Sequence, residues 1–151
     1  VSHLSEKGFW DLANVAKKPF IASHSNAQSI CNHARNLSDT QLRTILSHGG
    51  IAGVNLVGKH LSRTFEDADM IPDKEAALDA VSKHIVHFME KGCAKSICLG
   101  CDLDGTHPLA GLERVRDIAA LGSYMKAHGA DDNLIDDLFY GNAYRFFEKN
   151  L

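Results

Sequence analysis

Apolar residues follow two different patterns along the chain. Short continuous apolar runs at residues 20–23, 51–57 and 96–101 are typical of buried strands. The segments between them place apolar residues three or four positions apart, which predicts amphipathic helices. Residues 1–3 precede the first of these helices and are predicted to end a further strand. Because the strands alternate with helices and are apolar throughout, the pattern predicts a parallel sheet covered by helices.

Capping residues set the predicted limits of the helices. Ser and Asp favour helix starts because their side chains accept hydrogen bonds from otherwise unpaired backbone N–H groups. The predicted starts are Ser5, Ser38 with Gln41 in a capping box, Asp73, and Asp131 or Asp132. The predicted ends are Pro19, Gly49–Gly50, Gly92, Gly129 and Gly141–Asn142. Three long segments, at 25–36, 58–72 and 106–113, are predicted to be loops.

Two architectures fit this order of elements: an open, doubly wound sheet and part of an eight-stranded barrel. No glycine-rich phosphate loop follows any predicted strand, which weakens the nucleotide-binding version of the open sheet. Polar residues at successive strand ends are what a barrel active site needs. A complete barrel takes about 250 residues. We therefore predict an α/β fold in which residues 1–151 form about four βα units, half of a (β/α)8 TIM-type barrel.

Composition narrows the function classes. The hydrophobic content of 44% is that of a globular protein, and the net charge of −3 gives no electrostatic case for nucleic acid. No apolar run approaches the roughly 18 residues that suggest a membrane span. The chain begins Val-Ser-His, so we expect its numbering to start inside a longer protein. The cysteines are predicted to be reduced thiols in a cytoplasmic protein, and they are Cys31, Cys93, Cys98 and Cys101.

Two of the nine histidines stand at predicted strand ends. His3 and His24 follow consecutive strands, which lie roughly 4.8 Å apart in a sheet, so both imidazoles can reach one metal ion. Spacing alone leaves open the alternative of a hydrogen-bonded histidine pair without metal. The other histidines singled out are predicted to be structural or solvent-exposed, and they are His48, His60, His84, His87 and His128.

Two charged residues complete the candidate site. Arg35 lies in a long predicted loop and is either a clamp for a substrate carboxylate or a solvated surface arginine. Asp102 follows the strand at 96–101 and is either a proton acceptor beside a metal or a capping carboxylate. Asp104 is predicted to shape the turn at Gly105.

Six motifs together resemble the membrane (renal) dipeptidase family of zinc-dependent, amidohydrolase-like barrels. In chain order they are residues 3–5 (HLS), 21–27 (IASHSNA), 35–37 (RNL), 100–105 (GCDLDG), 111–113 (GLE) and 141–147 (GNAYRFF). The resemblance spans essentially the whole chain. It departs from the family at Leu103, where a Phe or Tyr is usual, and this departure should not touch the chemistry.

The resemblance implies roles for four residues. His3 and His24 would ligate one of two zinc ions, Arg35 would bind the substrate carboxylate, and Asp102 would transfer a proton or contact the substrate amino group. It also implies that the chain is the carboxyl-terminal half of the barrel. The family's His-x-Asp pair, its metal-bridging Glu and a further histidine belong to the other half and are absent from residues 1–151.

The function expected from the resemblance is metal-dependent hydrolysis of dipeptides by the full-length protein. The chain alone is expected to be inactive and to pair with the missing amino-terminal half or with a second copy in a homo-oligomer, since half a barrel leaves sheet edges uncovered. Two alternatives remain: a non-catalytic half-barrel used for binding, and another metal hydrolase of the amidohydrolase type.

Overall fold

The computed structural model describes residues 1–65, 73–106 and 109–151. A three-stranded parallel sheet lies at its centre, in the order β1 (Ile21–Ala22), β2 (Ile51–Val54) and β3 (Ile97–Leu99). Ile21 pairs with Ile51, and Ala52 pairs with Ile97. The structure therefore confirms the predicted α/β alternation with parallel strands in the part of the chain that it describes.

Helices pack against the sheet. The α-helices are α1 (Glu6–Val15), α2 (Asp39–Ser47), α3 (Gly58–Leu61), α4 (Lys74–Glu90), α5 (Ala119–Ala127), α6 (Asp132–Asp136) and α7 (Asn142–Asn150). Single 3-10 turns occupy Arg63–Phe65 and Val115–Ile118. The core between sheet and helices is apolar, and its largest fully buried side chains include Leu42, Ile45, Leu56, Ile85, Phe88 and Leu121.

The predicted helix starts are confirmed by their hydrogen bonds. Ser5 accepts from the Gly8 N–H, and Ser38 and Gln41 form the complete capping box. The carboxylates of Asp73 and Asp131 cap α4 and α6. These contacts follow from short-range sequence, because each joins residues three positions apart.

The prediction that residues 1–3 end a strand was wrong. Only one main-chain hydrogen bond joins this segment to β1, from the Val1 amino group to the Ile21 carbonyl at 2.6 Å. The next contact comes from a side chain, because Ser2 Oγ accepts from the His24 N–H at 3.0 Å. A strand needs a repeating ladder of main-chain bonds, so the described residues hold three strands rather than four.

The predicted strands are also shorter than their apolar runs. β2 ends at Val54 because the next N–H, that of Asn55, donates to the Asn26 side chain instead of to a neighbouring strand. Leu56 and Val57 are still buried. The continuous apolar sequence therefore predicts which residues are buried, whereas the main-chain pairing of the strand ends before the apolar run does.

The prediction that a helix ends at Gly141–Asn142 was wrong. A π-helical segment, Asp137–Gly141, joins α6 to α7 without interruption. Asn142 is buried and its Nδ2 donates to the carbonyls of Ala94 and Ile97 at 2.8 Å each. The extra residue in the π turn accommodates this inward-facing polar side chain within a continuous helix.

The predicted loop at 58–72 is partly helical, since α3 and the turn at Arg63–Phe65 occupy its first half. Its remaining residues, 66–72, lie outside the described residues, as do residues 107 and 108 of the predicted loop at 106–113. No disulfide joins the four cysteines. None of the described helices is long and apolar enough to cross a membrane.

Candidate active site

The two predicted ligand histidines meet at the carboxyl end of β1. His3 Nε2 and His24 Nε2 are 2.8 Å apart, and the ring centroids are separated by 4.9 Å. His3 is exposed and His24 is partly buried. The Nε2 atoms of the two rings therefore lie close together at the edge of the sheet.

Arg35 joins this pair from the long segment after β1. Its Nη2 donates to His3 Nε2 at 3.1 Å, and its Nε donates to the Ser2 carbonyl at 3.1 Å. The guanidinium is therefore anchored to the main chain at one end and faces the histidine pair at the other. Sequence left open a solvated surface arginine, and the structure instead brings Arg35 into the histidine cluster.

The hydrogen bonds fix the proton positions of the pair. Because a guanidinium only donates, His3 Nε2 must accept and therefore carries no proton. The hydrogen between the rings then belongs to His24 Nε2. His24 Nδ1 is left as an acceptor for the Ser23 hydroxyl, which lies 2.8 Å away. Burial lowers the pKa of His24, and the Arg35 charge lowers it further, so the imidazole is favoured in its neutral form.

Two glycines allow the main chain to reach this position. A Cβ on Gly53 would lie 2.2 Å from the Ser23 carbonyl oxygen, and a Cβ on Gly100 would lie 1.8 Å from the same atom. The Ser23 peptide therefore lies directly against the sheet surface formed by Gly53 and Gly100. The Ser23 peptide, which precedes His24, thus occupies the space that side chains at positions 53 and 100 would otherwise fill.

Asp102 lies near the cluster in an unusual backbone conformation. Its φ of 56° is in the left-handed region, which few residues other than glycine adopt. The turn closes with a bond from the Gly105 N–H to the Asp102 carbonyl at 3.1 Å. The charge of Asp102 raises the pKa of His24, against the effect of burial. Asp104 is exposed and occupies the third position of this turn, so its turn-shaping role stays a prediction.

The donor set fits part of a zinc site. Two nitrogens bound tetrahedrally to one zinc ion lie about 3.3 Å apart, and the His3 and His24 nitrogens need to separate by only about 0.5 Å from the 2.8 Å observed. The Ser23 hydroxyl both donates and accepts, so it can also hold His24 with the proton on Nδ1. A zinc site needs at least three protein ligands. No group of three or more His, Cys, Asp or Glu side chains in the described residues is arranged to hold a metal.

The other histidines make structural contacts. His84 is fully buried, accepts from the Ala27 N–H at 2.9 Å and contacts the Leu61 carbonyl at 3.0 Å. Burial lowers its pKa to about 4. His87 pairs with Asp39 at 2.8 Å, and the pKa of that carboxyl falls to about 2. These two histidines connect helices and lie outside the candidate site.

Sequence reasoning missed two buried asparagines beside the site. Asn26 and Asn55 are fully buried and bond to each other through their side chains at 2.8 Å. Asn55 follows β2 directly, and Asn26 lies four residues beyond the end of β1. For Asn55, an uncharged polar residue inside an apolar run was the available signal, because a buried amide is costly unless it is hydrogen-bonded.

The comparison with protein families decides which kind of protein this site belongs to. The sequence model of the family described as membrane dipeptidase (peptidase family M19) matches residues 1–150. The chain belongs to the membrane dipeptidase family. The resemblance inferred from the motifs is thereby confirmed.

Relatives in the membrane dipeptidase family are longer than this chain. An uncharacterized protein in the pqqA 5′ region of Klebsiella pneumoniae is 36% identical over 149 residues, which are 99% of this chain and 53% of that protein. The uncharacterized dipeptidase C965.12 of Schizosaccharomyces pombe is 30% identical over 105 residues, which are 70% of this chain and 24% of that protein. The chain thus spans about half of the Klebsiella relative.

Solved structures of membrane dipeptidase family members share the fold. A metallo peptidase from Rhodobacter sphaeroides, liganded with a phosphinate mimic of the dipeptide L-Ala-D-Ala, is 31% identical with a TM-score of 0.89. A second metallo peptidase, dipeptidase AC of family M19, is 32% identical with a TM-score of 0.88. Each comparison covers 99% of this chain and 41% of the solved chain.

Proposed function

We propose that this chain is the carboxyl-terminal half of a (β/α)8-barrel metallodipeptidase, and that the full-length protein hydrolyses dipeptides. The observation that carries the proposal is the convergence of His3, His24 and Arg35 on one point in a chain of this family. Two imidazole nitrogens offer a place for a metal ion, and a guanidinium beside them offers a place for a carboxylate.

The metal is proposed to be zinc, with two ions in the complete enzyme. When bound, zinc supplies a hydroxide near neutral pH and stabilises negative charge on the substrate oxygen. His3 and His24 are proposed to ligate one ion through Nε2. Ser23 then accepts from His24 Nδ1 and keeps the ring in place, since a hydrogen bond to the second ring nitrogen orients a ligating imidazole.

Arg35 is proposed to bind the terminal carboxylate of the dipeptide. Its Nε bond to the Ser2 carbonyl holds the guanidinium in position, and its Nη2 now faces His3 Nε2. Once His3 Nε2 serves as a ligand, Nη2 is available for a carboxylate oxygen. A clamp on the terminal carboxylate limits the substrates to short peptides.

Asp102 is proposed to move the proton or to contact the substrate amino group. A carboxylate near the attacking oxygen can accept its proton and deliver it to the leaving amine. Asp102 follows β3 at the same end of the sheet as His24, and its charge raises the pKa of that histidine, which supports this assignment.

Dipeptides are the proposed substrate class because of the solved relatives. The Rhodobacter metallo peptidase is liganded with a phosphinate mimic of L-Ala-D-Ala. That protein is 31% identical over 99% of this chain, so its ligand supports dipeptides as the class of substrate.

The chain alone is proposed to be inactive. The described residues supply two histidine ligands, fewer than a zinc site requires. In the described sheet, β1 and β3 each have one neighbour, so each leaves an edge without a strand. We propose that the amino-terminal half of the barrel covers these edges and completes the ligand set. A second copy of the chain in a homo-oligomer is the alternative partner.

A cytoplasmic location is proposed because all four cysteines are free thiols.

Replacing Arg35 with alanine tests the substrate assignment. Loss of a hydrogen-bonded charge pair costs roughly 1.5–3 kcal/mol, so KM for dipeptides should rise about 10- to 100-fold while kcat changes little. The measurement is steady-state kinetics on the longest protein that the gene encodes, with Arg116→Ala on the exposed surface as the control.

A carboxyl-amidated dipeptide separates the clamp from a general defect. The wild type and the Arg35→Ala variant should hydrolyse it with similar kcat/KM, because it has no carboxylate to clamp. Unchanged KM for ordinary dipeptides in Arg35→Ala would refute the clamp. Activity of the wild type on lactones or non-peptide amides alone would favour another amidohydrolase, and no hydrolysis at all would favour a binding protein.

A further inference from the structure

Asn55 is a fully buried polar residue that the proposed chemistry does not use. It follows β2 directly, at the same end of the sheet as His24. Burying an amide without partners would cost several kcal/mol, on the order of 2–7. Its hydrogen bonds therefore indicate why an amide stands inside this apolar run.

All four hydrogen-bonding positions of the Asn55 amide are filled. Its Oδ1 accepts from Asn26 Nδ2 at 2.8 Å and from the Val57 N–H at 3.1 Å. Its Nδ2 lies 3.3 Å from the His24 carbonyl and 3.1 Å from His60 Nδ1. One side chain thus connects the ends of β1 and β2 with the start of α3.

The orientation of this amide follows from its neighbours. The Val57 N–H can only donate and the His24 carbonyl can only accept, so Oδ1 and Nδ2 cannot exchange places. His60 Nδ1 must then accept, which requires a ring without a proton at that nitrogen. Burial lowers the pKa of His60 to about 4, in agreement with a neutral ring.

His24 lies beyond the end of β1 at Ala22, and the next main-chain bond to β2 comes from the Ser25 N–H, which donates to the Gly53 carbonyl at 2.7 Å. The His24 N–H donates to Ser2 Oγ at 3.0 Å, and the His24 carbonyl accepts from Asn55 Nδ2. Side chains therefore bind both the N–H and the carbonyl of His24 itself. Together with the Ser25–Gly53 bond, these two contacts hold the main chain from which the ring projects.

We propose that Asn55 is a positioning residue that holds His24 in the orientation required for metal binding. This inference rests on the proposed function, because it takes His24 to be a ligand. Asn55 acts through the His24 carbonyl, to which its Nδ2 donates. Contacts that support a metal ligand typically change metal affinity 10- to 100-fold when they are removed.

Asn142 provides a matched control for the structural role of a buried asparagine. It is 2% exposed, and its Nδ2 also donates to main-chain carbonyls, those of Ala94 and Ile97. These contacts lie at the amino end of β3, away from His24. An aspartate at either position loses the same donor, so both changes should lower the melting temperature.

The test is the affinity for Zn²⁺ of the longest protein that the gene encodes, measured by competition with a chromophoric chelator. Asn55→Asp and the uncharged Asn55→Ser should both weaken binding about 10- to 100-fold. Asn142→Asp should leave the affinity within about threefold of wild type despite its lower melting temperature. The imidazole nitrogen chemical shifts of His24 in metal-free protein should change in the Asn55 variants only.

Several outcomes would overturn the inference. One is wild-type affinity in folded Asn55 variants when His24→Ala does weaken binding. Another is an equal loss in Asn142→Asp, which would indicate general destabilisation. Failure of both Asn55 variants to fold while Asn142→Asp folds would make Asn55 a folding residue. If His24→Ala itself binds Zn²⁺ as wild type does, the proposed ligand role fails instead.

Discussion

If the proposed function holds, replacing His24 with alanine should remove about one equivalent of zinc from the longest protein that the gene encodes, and with it the proposed dipeptidase activity. His24 Nε2 is one of two nitrogens that converge within 2.8 Å. Removing a ligand should weaken binding by more than the 10- to 100-fold typical for a supporting contact. The measurement is zinc per protein by elemental analysis after gel filtration, together with the rate of dipeptide hydrolysis.

His128→Ala is the control for this change. His128 is an exposed histidine at the end of α5, where its ring stacks on Tyr124 and its Nδ1 contacts the Tyr124 carbonyl. This variant should keep its zinc and its activity. Equal zinc content in His24→Ala and wild type would refute the ligand assignment, whatever happened to the activity.

Replacing Gly100 with alanine is expected to have the second large effect. The new Cβ would lie 1.8 Å from the Ser23 carbonyl oxygen and 3.1 Å from the Gly53 Cα. Both neighbours are main-chain atoms, so no side-chain rotation can relieve the clash. We expect a loss of stability beyond the roughly 1–3 kcal/mol usual for overpacking, and a displaced Ser23–His24 segment. Thermal unfolding and zinc content measure the two effects.

Gly92→Ala separates steric exclusion from backbone strain. Gly92 has a φ of 82°, and a Cβ added there would meet no described atom within 4 Å. Alanine there should cost only the roughly 1–2 kcal/mol of a left-handed conformation and leave zinc binding intact. A Gly100→Ala protein as stable as Gly92→Ala, with its full zinc content, would show that the Ser23 peptide does not need the glycine surface.

Local features of the sequence predicted much of this structure. The caps at Ser5, Ser38 and Asp73 join residues three positions apart, so their chemistry is visible in short windows. His24 could be placed at a strand end because apolar sequence stops abruptly before it. Its meeting with His3 was common to both alternatives that the spacing left open, a shared metal ion and a hydrogen-bonded pair. The family resemblance, carried by motifs along the chain, supplied the remaining roles.

Contacts between distant segments were not predictable in the same way. Gly53 and Gly100 matter because the Ser23 peptide crosses them, and neither has a positive φ that would mark a turn. The helix continues past Gly141 because the Asn142 amide binds carbonyls about 45 residues away. In each case the contact joins residues that are far apart in sequence, so the local pattern does not identify the partner.

The strand lengths show a related limit. Apolar runs reach from 51 to 57 and from 96 to 101, whereas the ladders end at Val54 and Leu99. Burial continues beyond the last main-chain pair because Asn55 satisfies its neighbours through its side chain. Hydrophobicity predicts which residues are inside, and side-chain hydrogen bonds decide where the sheet ends.

The most direct test of the account is a comparison of the 151-residue chain with the longest protein that the gene encodes. Zinc content and dipeptide hydrolysis should be measured for both, before and after chelation. The longest encoded protein should bind about two zinc ions, lose its activity with them and regain it when zinc is restored, while the 151-residue chain alone should hydrolyse nothing. Hydrolysis by the 151-residue chain alone, or a zinc-loaded longer protein inactive on every dipeptide, would contradict this account.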